Sequence, residues 1–369
     1  MARTLDPTRM SARVRATLET LVGISSVSGQ EEAIRDHLRG RLTQAGLTCH
    51  VDSAGNLIAR LPGDGPPLLL NAHMDRVPPG RGHQPIVRRG RLYSDGATNL
   101  GADDAAGLAI ILLALEALLA RDAPRPSLVV LFTVGEEVGL RGASAFDPAP
   151  WNVSDGIVFD NAGEPGAVVT RGSSYIAFDA VLRGASGHPG KDLSGTASAI
   201  DMFRRVATPI GSMDGDSTRI SLGTISGGVA RNAIPAEVRV SGEVRSLLSG
   251  EPLQRLLASI ERDFTLAAQE VGGSADIAFA PHGADYSVDT REPLVRAWRA
   301  AWEARGHTFE TLTTFIGSDA NALRQRGLRV FTVSTGVRDE HTLAESIALA
   351  PLAELVHATV NLLTAYHAP

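Results

Sequence analysis

Histidine and acidic residues stand at the ends of three apolar runs in this chain. The three clusters are Asn71-Ala-His73-Met-Asp75, Gly101-Ala-Asp103-Asp104 and Thr133-Val-Gly-Glu136-Glu137. Carboxylates beside a buried core are unfavourable unless a compensating charge is present, and a bound metal ion is the usual one. The clusters therefore predict a metal site.

The triplet His73-Met-Asp75 has the form of a metal ligand with a supporting carboxylate. A metal-bound imidazole needs an acceptor on its other ring nitrogen, and Asp75 can supply it. The triplet is weak evidence alone, because His50-Val-Asp52 matches the same pattern. His50 ends no buried strand, so we interpret it as structural and His73 as functional. The alternative is that Asp75 caps a loop and His73 is a hydrogen-bonded core histidine.

Each acidic pair allows a functional and a structural interpretation. Asp103-Asp104 can belong to the metal site, or it can complement the dipole of the apolar helix that it begins. Adjacent glutamates are common on solvated faces, but Glu136-Glu137 follows a buried strand, so one glutamate can bind a metal while the other accepts a proton from metal-bound water.

Short, continuous apolar runs predict strands that are buried on both faces of a sheet. The runs lie near residues 68–72, 127–134, 156–160 and 329–333. In an open α/β sheet, ligands bind beyond the carboxyl ends of the strands, and His73, Glu136 and Asp160 fall there. The fold class predicted for this part of the chain is therefore α/β.

The segment before these strands has two local signals. Ser28-Gly-Gln-Glu31 has the form of a capping box and predicts a helix from there to Gly46. A hairpin with strands near 47–52 and 56–61 should follow, because the residues between them tolerate turn geometry.

From about residue 174 the pattern becomes strand, helix, two strands, helix and strand. This is the split βαβ (ferredoxin-like) arrangement, and its length suits a domain of its own. We predict an inserted α+β domain at 174–283, between segments 1–173 and 284–369 of a single α/β domain.

The composition excludes several classes of protein. The formal charge of −6, from 35 basic and 41 acidic residues, includes no basic stripe, so nucleic acid is not an expected partner. The longest apolar stretch, Ala105 to Ala120, contains Glu116 and is shorter than the roughly 20 residues of a membrane span, so we expect a buried helix. The first ten residues do not resemble a secretory leader, and Cys49 is the only cysteine, so we expect a cytoplasmic protein without disulfides.

Taken together, the clusters resemble the M20 family of metal-dependent peptidases and amidohydrolases, most closely its peptidase T-like branch. The resemblance covers almost the whole chain. The matching segments are Asn71-Ala-His-Met-Asp75, Tyr93-Ser-Asp-Gly96, Leu100-Gly-Ala-Asp-Asp104, Phe132-Thr-Val-Gly-Glu-Glu137, Val158-Phe-Asp160, Gly184-Ala-Ser-Gly-His188, Gly227-Gly-Val-Ala-Arg-Asn232, Glu243-Val-Arg-Ser246, Gly317-Ser-Asp-Ala-Asn321 and His341.

The resemblance implies a site for two zinc ions bridged by Asp103. His73 and Asp160 would complete one site, and Glu137 and His341 the other. Cobalt or manganese would also suit mixed nitrogen and oxygen ligands.

The resemblance also assigns the catalytic residues. Asp75 would orient His73, and Glu136 would be the general base that deprotonates the bridging water and later protonates the leaving amine. A cis peptide bond between Asp103 and Asp104 is implied as well.

The inserted domain would be a lid, which in many members of the family is also a dimerisation surface. His188 would stabilise the oxyanion, and Asn232 and Arg245 would hold carbonyl or carboxylate groups of the substrate. The alternatives are that His188 is a surface turn residue and that Arg245 serves a structural ion pair.

The chain departs from the family pattern at Ala105, where relatives usually carry lysine. The leading expectation is nevertheless a metal-dependent exopeptidase, specifically a tripeptide-type aminopeptidase. An N-acyl or N-carbamoyl amino acid amidohydrolase is the alternative, because one metal core serves many substrates. A catalytically silent metal or peptide binder is the third, and only Ala105 motivates it.

Overall fold

The chain divides into two compact units in its computed structural model, which describes residues 7–121, 124–209 and 211–366. Unit 1 comprises Met1–Arg171 and Ser287–Pro369, and unit 2 comprises Gly172–Tyr286. The predicted boundaries, after residues 173 and 283, lie close to these. The roles of the units as catalytic and lid domains stay predictions.

The described residues form the following elements. The helices are α1 (Pro7–Gly23), α2 (Glu32–Gln44), α3 (Ala102–Leu119), α4 (Arg141–Ala145), α5 (Ala199–Arg205), α6 (Gly250–Val271), α7 (Pro293–Glu303), α8 (Asp319–Gln325) and α9 (Leu349–Ala365). The strands are β1 (Thr48–Val51), β2 (Leu57–Leu61), β3 (Asp64–His73), β4 (Ile86–Arg88), β5 (Arg91–Tyr93), β6 (Pro126–Thr133), β7 (Asp155–Phe159), β8 (Val168–Gly172), β9 (Ser174–Arg183), β10 (Gly211–Met213), β11 (Thr218–Gly227), β12 (Glu237–Ser246), β13 (Ser274–Gly283), β14 (Tyr286–Ser287), β15 (Thr311–Thr314), β16 (Arg329–Val333), β17 (Val337–Arg338) and β18 (Ser346–Ala348).

The main sheet of unit 1 has the order β1-β2-β6-β3-β7-β16-β8-β14, with β15 beside β8. Its central strands β6, β3, β7 and β16 run parallel. Every residue of β6 is buried, which explains why its sequence shows no alternation of apolar and polar residues. The α/β prediction and the four predicted core strands are confirmed.

The helix α3 packs against α1, α9 and the central strands of the sheet. Almost all of its side chains are buried, so it is the core helix that the apolar stretch predicted. A smaller sheet in the same unit has the order β17-β18-β5-β4, and the loop that carries His341 connects β17 to β18.

The helix predicted between Ser28 and Gly46 is present as α2, but the capping box that indicated it does not form. The helix α2 begins at Glu32, and no side chain caps its first turn. Ser28 instead donates a hydrogen bond to Asp75, and the Glu31 carboxylate accepts from the backbone N–H groups of Gly29 and Gly135. Both residues of the motif therefore support structure outside α2. The predicted hairpin is confirmed, since β1 and β2 pair antiparallel, and Cys49 lies half-buried in β1.

Unit 2 contains one antiparallel sheet of order β10-β11-β12-β9-β13 among its described residues. Its core includes Phe178 from the sheet and Ile260 and Phe264 from α6. Side chains of β9 are alternately buried and more exposed, as expected of a strand with one covered face. The predicted split βαβ arrangement is confirmed, and the short strand β10 is an addition that the sequence pattern did not indicate.

Among the described residues, no helix is both long and apolar enough to cross a membrane. Residues 1–6, on which the expectation about a leader largely depends, lie outside the described part of the chain.

Candidate metal centre

The parallel strands bring the predicted site residues to one edge of the main sheet. His73 is the last residue of β3, Asp160 directly follows β7, and Glu136 and Glu137 follow β6. Because β6, β3 and β7 are neighbours in the sheet, their carboxyl ends lie side by side. The order of strands therefore brings together residues that are far apart in sequence.

Each carboxylate oxygen of Asp103 faces a different histidine. Asp103 Oδ1 lies 3.4 Å from His73 Nε2, and Asp103 Oδ2 lies 3.2 Å from His341 Nε2. His341 Nε2 is also 2.9 Å from Glu137 Oε1, and His73 Nε2 is 3.9 Å from Asp160 Oδ1. The five predicted ligands thus form one cluster, in which Asp160 is reached through His73.

In the part of the chain that the structure describes, two groups of three side chains could each hold a metal ion, because one ligand atom from each member lies within 4.8 Å of the others. They are His73, Asp103 and Glu137, and His73, Asp104 and Asp160. The second group includes Asp104, for which the resemblance implied no ligand role. Its carboxylate accepts hydrogen bonds from the backbone N–H of Gly107 at 2.8 Å and of His73 at 3.3 Å.

Asp104 also explains how α3 reaches the site. Asp103 and Asp104 have non-helical backbone angles, so the regular helix begins after them, and the bond from Gly107 N–H is the one an N-cap residue accepts. A Cβ atom on Gly107 would lie 2.2 Å from the Phe159 carbonyl oxygen, so glycine is required for this close approach of α3 to the end of β7. The peptide bond between Asp103 and Asp104 is cis, as the resemblance implied.

The backbone carbonyl of Asp75 is nearer to the His73 ring than the Asp75 carboxylate is. His73 Nδ1 lies 3.0 Å from the Asp75 carbonyl oxygen and 3.5 Å from Asp75 Oδ1. Because a carbonyl can only accept, Nδ1 carries a hydrogen. Nε2, on the side of Asp103 and Asp160, is therefore the nitrogen that could bind a metal after losing its own proton.

The Asp75 carboxylate also supports the turn after β6. It accepts hydrogen bonds from the backbone N–H groups of Glu136 at 2.9 Å and Glu137 at 3.2 Å, and from the Ser28 hydroxyl. Although burial opposes ionisation, the contact with His73 and these donors lower the pKa of Asp75. Asp75 is therefore an ionised group that fixes the backbone of both glutamates.

The pKa values show that the centre has an excess of negative charge. Burial, followed by repulsion from Asp160, raises the pKa of Glu136 and Asp104 well above the usual values. Burial also raises the pKa of Asp160 itself. Hydrogen bonds to Asp103 and Glu137 raise the pKa of His341 to about 10. A bound cation would reverse the unfavourable interactions among these carboxylates, so the set of oxygen and imidazole donors fits a divalent metal.

Sequence reasoning missed three buried groups that surround the centre. The Glu345 carboxylate accepts from the backbone N–H groups of Leu100, Gly101 and Asp103. Asp319 accepts from Asn71 Nδ2 and the Thr133 hydroxyl. The Arg76 guanidinium donates to the carbonyls of Leu21, Val22 and Ile24 at the end of α1, and burial lowers its pKa to about 10. Asp319 belongs to the matching segment Gly317–Asn321, to which the sequence analysis assigned no role. No motif or pattern in the sequence pointed to Glu345 or Arg76.

Comparison with known proteins identifies the family. The model of the family described as Peptidase family M20/M25/M40 matches residues 69–365. The chain belongs to this family. It is therefore an M20 metallopeptidase, a hydrolase, and its exopeptidase-type fold is the one that the resemblance implied.

Three relatives show how far the similarity extends. The chain is 30% identical over 348 residues to the uncharacterized protein YqjE of Bacillus subtilis (strain 168), covering 91% of this chain and 92% of that protein. The aminopeptidase PepT of Bacillus cereus ATCC 10987 superposes with a TM-score of 0.88 at 29% identity, covering 96% of this chain and 98% of that one. A tripeptidase of Staphylococcus aureus superposes with a TM-score of 0.91 at 26% identity over the same shares.

The three residues predicted to bind substrate lie in unit 2 of this M20 peptidase. His188 and Asn232 are exposed, and the segments that carry them are bridged where Gly187 pairs with Ile234. Arg245 Nε donates to Glu243 Oε1 at 2.9 Å, and its guanidinium carbon lies 4.4 Å from the centre of the Tyr175 ring. The ion pair considered as an alternative for Arg245 is thus present, and the substrate-binding roles stay predictions.

Ala105, the departure from the M20 pattern, is buried in α3 with 1% of its surface exposed. The predicted ligands form one cluster despite this change.

Proposed function

We propose that this M20 peptidase is a zinc-dependent aminopeptidase that removes residues from short peptides, tripeptides in particular. The observation that carries the proposal is the position of Asp103, whose two carboxylate oxygens face His73 and His341 separately. A carboxylate placed in this way suits two ions that share one ligand. The similarity to an aminopeptidase and a tripeptidase over almost the whole chain supports the substrate class.

We assign His73, Asp103 and Asp160 to one ion, and Asp103, Glu137 and His341 to the other. Two bound ions would polarise the scissile carbonyl and lower the pKa of the attacking water. The similarity in fold to a dinuclear metal-binding M20 peptidase of Bacillus subtilis supports the number of ions in this proposal. Asp104, which belongs to one of the two groups of side chains, supports the backbone of His73 in this proposal.

Glu136 is the proposed general base. Its backbone is fixed by Asp75, while burial, followed by repulsion from Asp160, raises the pKa of its own carboxylate. A carboxylate whose pKa is raised accepts a proton from water and returns it to a leaving amine more readily than an ordinary glutamate. Glu137 differs because its carboxylate is already bonded to His341.

Unit 2 would act as the lid, with His188, Asn232 and Arg245 contacting the substrate. A homodimer through this unit and a cytoplasmic location belong to the same proposal.

The test is hydrolysis of free-amino di- and tripeptides, their N-acetylated counterparts and N-acyl amino acids by zinc-loaded protein. We expect cleavage of free tripeptides, lost by at least a hundredfold in Glu136→Gln with metal binding retained. Glu164→Gln, which changes an exposed glutamate, is the control and should keep full activity. Cleavage of acylated substrates alone would reassign the protein as an amidohydrolase, and metal binding without any cleavage would favour the silent binder.

A further inference from the structure

Glu345 joins two segments that each supply a predicted metal ligand. Its Oε2 accepts hydrogen bonds from the backbone N–H groups of Leu100 and Gly101, both at 2.8 Å, and its Oε1 accepts from the N–H of Asp103 at 3.0 Å. Glu345 itself belongs to the loop of residues 339–345, which carries His341. One side chain therefore connects the backbone of Asp103 to the loop of His341.

The loop of His341 is fixed internally as well. Asp339 and His341 both have positive φ angles, 54° and 62°, and the carbonyl of Asp339 accepts from the N–H and the hydroxyl of Thr342. The N–H of Glu345 donates to the carbonyl of Thr342, and its carbonyl accepts from Ser94. Backbone hydrogen bonds therefore connect Glu345 to the turn that carries His341.

The contact of His341 with Asp103 closes a ring of interactions. His341 Nε2 lies 3.2 Å from Asp103 Oδ2, so the two segments touch both through the Glu345 carboxylate and through the candidate ligands. The Glu345 side chain is buried, with 1% of the residue exposed. A buried carboxylate that accepts three N–H groups is stabilised in one geometry, because any rotation leaves donors unpaired.

The buried, positively charged side chain of Arg76 packs against the same segment. A Cβ atom on Gly101 would lie 2.7 Å from Arg76 Cδ, so the Arg76 side chain packs directly against the backbone that Glu345 holds. The attraction between Arg76 and Glu345 opposes the cost of burial, although burial still raises the pKa of Glu345. Three N–H donors and a nearby positive charge thus lower the cost of placing this carboxylate in the interior.

We infer that Glu345 is a positioning residue of the metal centre, because it fixes the backbone of Asp103 relative to the loop that carries His341. The inference rests on the proposed two-metal function. It assigns to Glu345 no contact with metal or substrate. Removal of one acceptor oxygen should let Asp103 and His341 move apart, and the loss of supporting groups of this kind typically weakens metal binding by 10- to 100-fold.

The test uses cobalt, whose visible absorption reports the geometry of its ligands. Cobalt affinity, stoichiometry and absorption spectrum are measured for the full chain and for Glu345→Gln, Glu345→Asp and Glu354→Gln, with the folded fraction measured by circular dichroism. Glu354 is the matched control, since its carboxylate accepts two hydrogen bonds from Arg305 and lies on α9. Glu345→Asp provides the measurement if Glu345→Gln does not fold, because it keeps the charge and shortens the side chain.

We expect at least one cobalt ion to bind about tenfold or more weakly in Glu345→Gln, with a changed spectrum, and the wild-type spectrum in Glu354→Gln. An intermediate affinity in Glu345→Asp would support positioning by this carboxylate. A folded Glu345 variant with wild-type cobalt affinity and spectrum would overturn the inference, whatever its stability. Two cobalt ions bound by wild-type protein that cleaves no peptide would overturn the proposed function alone, whereas no cobalt binding by the wild type would overturn both.

Discussion

The hydroxyl of Ser28 donates a hydrogen bond to Oδ2 of Asp75 across 2.7 Å. The backbone around these residues is tied as well, since Val27 pairs with Arg76 in an isolated parallel bridge. The segment before α2 thus supports the carboxylate that holds the turn of Glu136 and Glu137. Ser28, which looks like a helix cap in the sequence, therefore supports the candidate metal centre instead.

Ser28→Ala should lower the free energy of unfolding by about 1.5–3 kcal/mol, because it removes a hydrogen bond to a buried charged group. Asp75 would keep its two backbone donors, so the fold should be retained. Urea denaturation of the metal-free protein measures the effect. Ser25→Ala is the control, since Ser25 is exposed and should change stability by less than about 0.5 kcal/mol. Equal losses in the two variants would contradict the supporting role of Ser28.

His73→Ala should abolish binding of at least one metal ion and reduce peptide hydrolysis below detection, because His73 contacts both Asp103 and Asp160. The chain supplies its own control in His50→Ala, which alters the second His-x-Asp triplet. His50 is exposed in β1, and the Asp52 carboxylate accepts backbone N–H groups within the following turn. Metal content by mass spectrometry and hydrolysis rates should be unchanged in His50→Ala. A comparable loss in both variants would show that the effect is not specific to the centre.

The sequence was sufficient to predict the core strands and the edge of the sheet at which the candidate site lies. Apolar runs such as that of β6 reveal burial on both faces, and parallel neighbours must end together, so the sequence alone places His73 and Asp160 at one edge of the sheet. The same reasoning distinguished the two His-x-Asp triplets, because the triplet of His73 ends a buried strand and that of His50 does not.

The supporting residues could not be predicted because their partners are distant in sequence. Ser28 bonds to Asp75, Glu345 bonds to the segment before α3, and Arg76 bonds to the end of α1. No periodicity or local motif encodes such pairs, and the capping box at Ser28 pointed to the wrong partner. Long-range hydrogen bonds of buried polar groups become visible only when the fold brings their elements together.

Gly101→Ala should destabilise the protein more than Gly96→Ala. Both glycines have positive φ angles, 70° and 87°, so each substitution carries the cost of about 1–2 kcal/mol for a left-handed alanine. Only at Gly101 would the new methyl group meet a side chain, that of Arg76, since Gly96 has no atom within 4 Å of an added Cβ. Comparison of the unfolding free energies isolates this contact, and equal values would show that Arg76 moves away without cost.

Asp319→Asn should stabilise the metal-free protein at neutral pH. Burial raises the pKa of Asp319 although hydrogen bonds from Thr133 and Asn71 oppose the shift. A carboxyl whose pKa is higher in the folded state favours folding fully below its unfolded pKa of about 3.9, and this stabilisation is lost as the pH rises through the folded value. An asparagine does not titrate, so the difference in unfolding free energy between Asp319→Asn and wild type should grow in favour of the variant from about pH 4 toward neutrality.

The experiment compares unfolding free energies in EDTA at several pH values, with Asp155→Asn as a control of opposite sign. Although burial opposes it, the ion pair with Arg329 lowers the pKa of Asp155. Asp155 therefore contributes stability above its unfolded pKa, and this contribution is lost as the pH falls through the folded value. Asp155→Asn should accordingly be less stable than wild type at neutral pH, with a difference that shrinks in acid. If Asp319→Asn behaved in the same way, the ionised Asp319 carboxylate would be stabilising, and the burial cost inferred from its surroundings would be wrong.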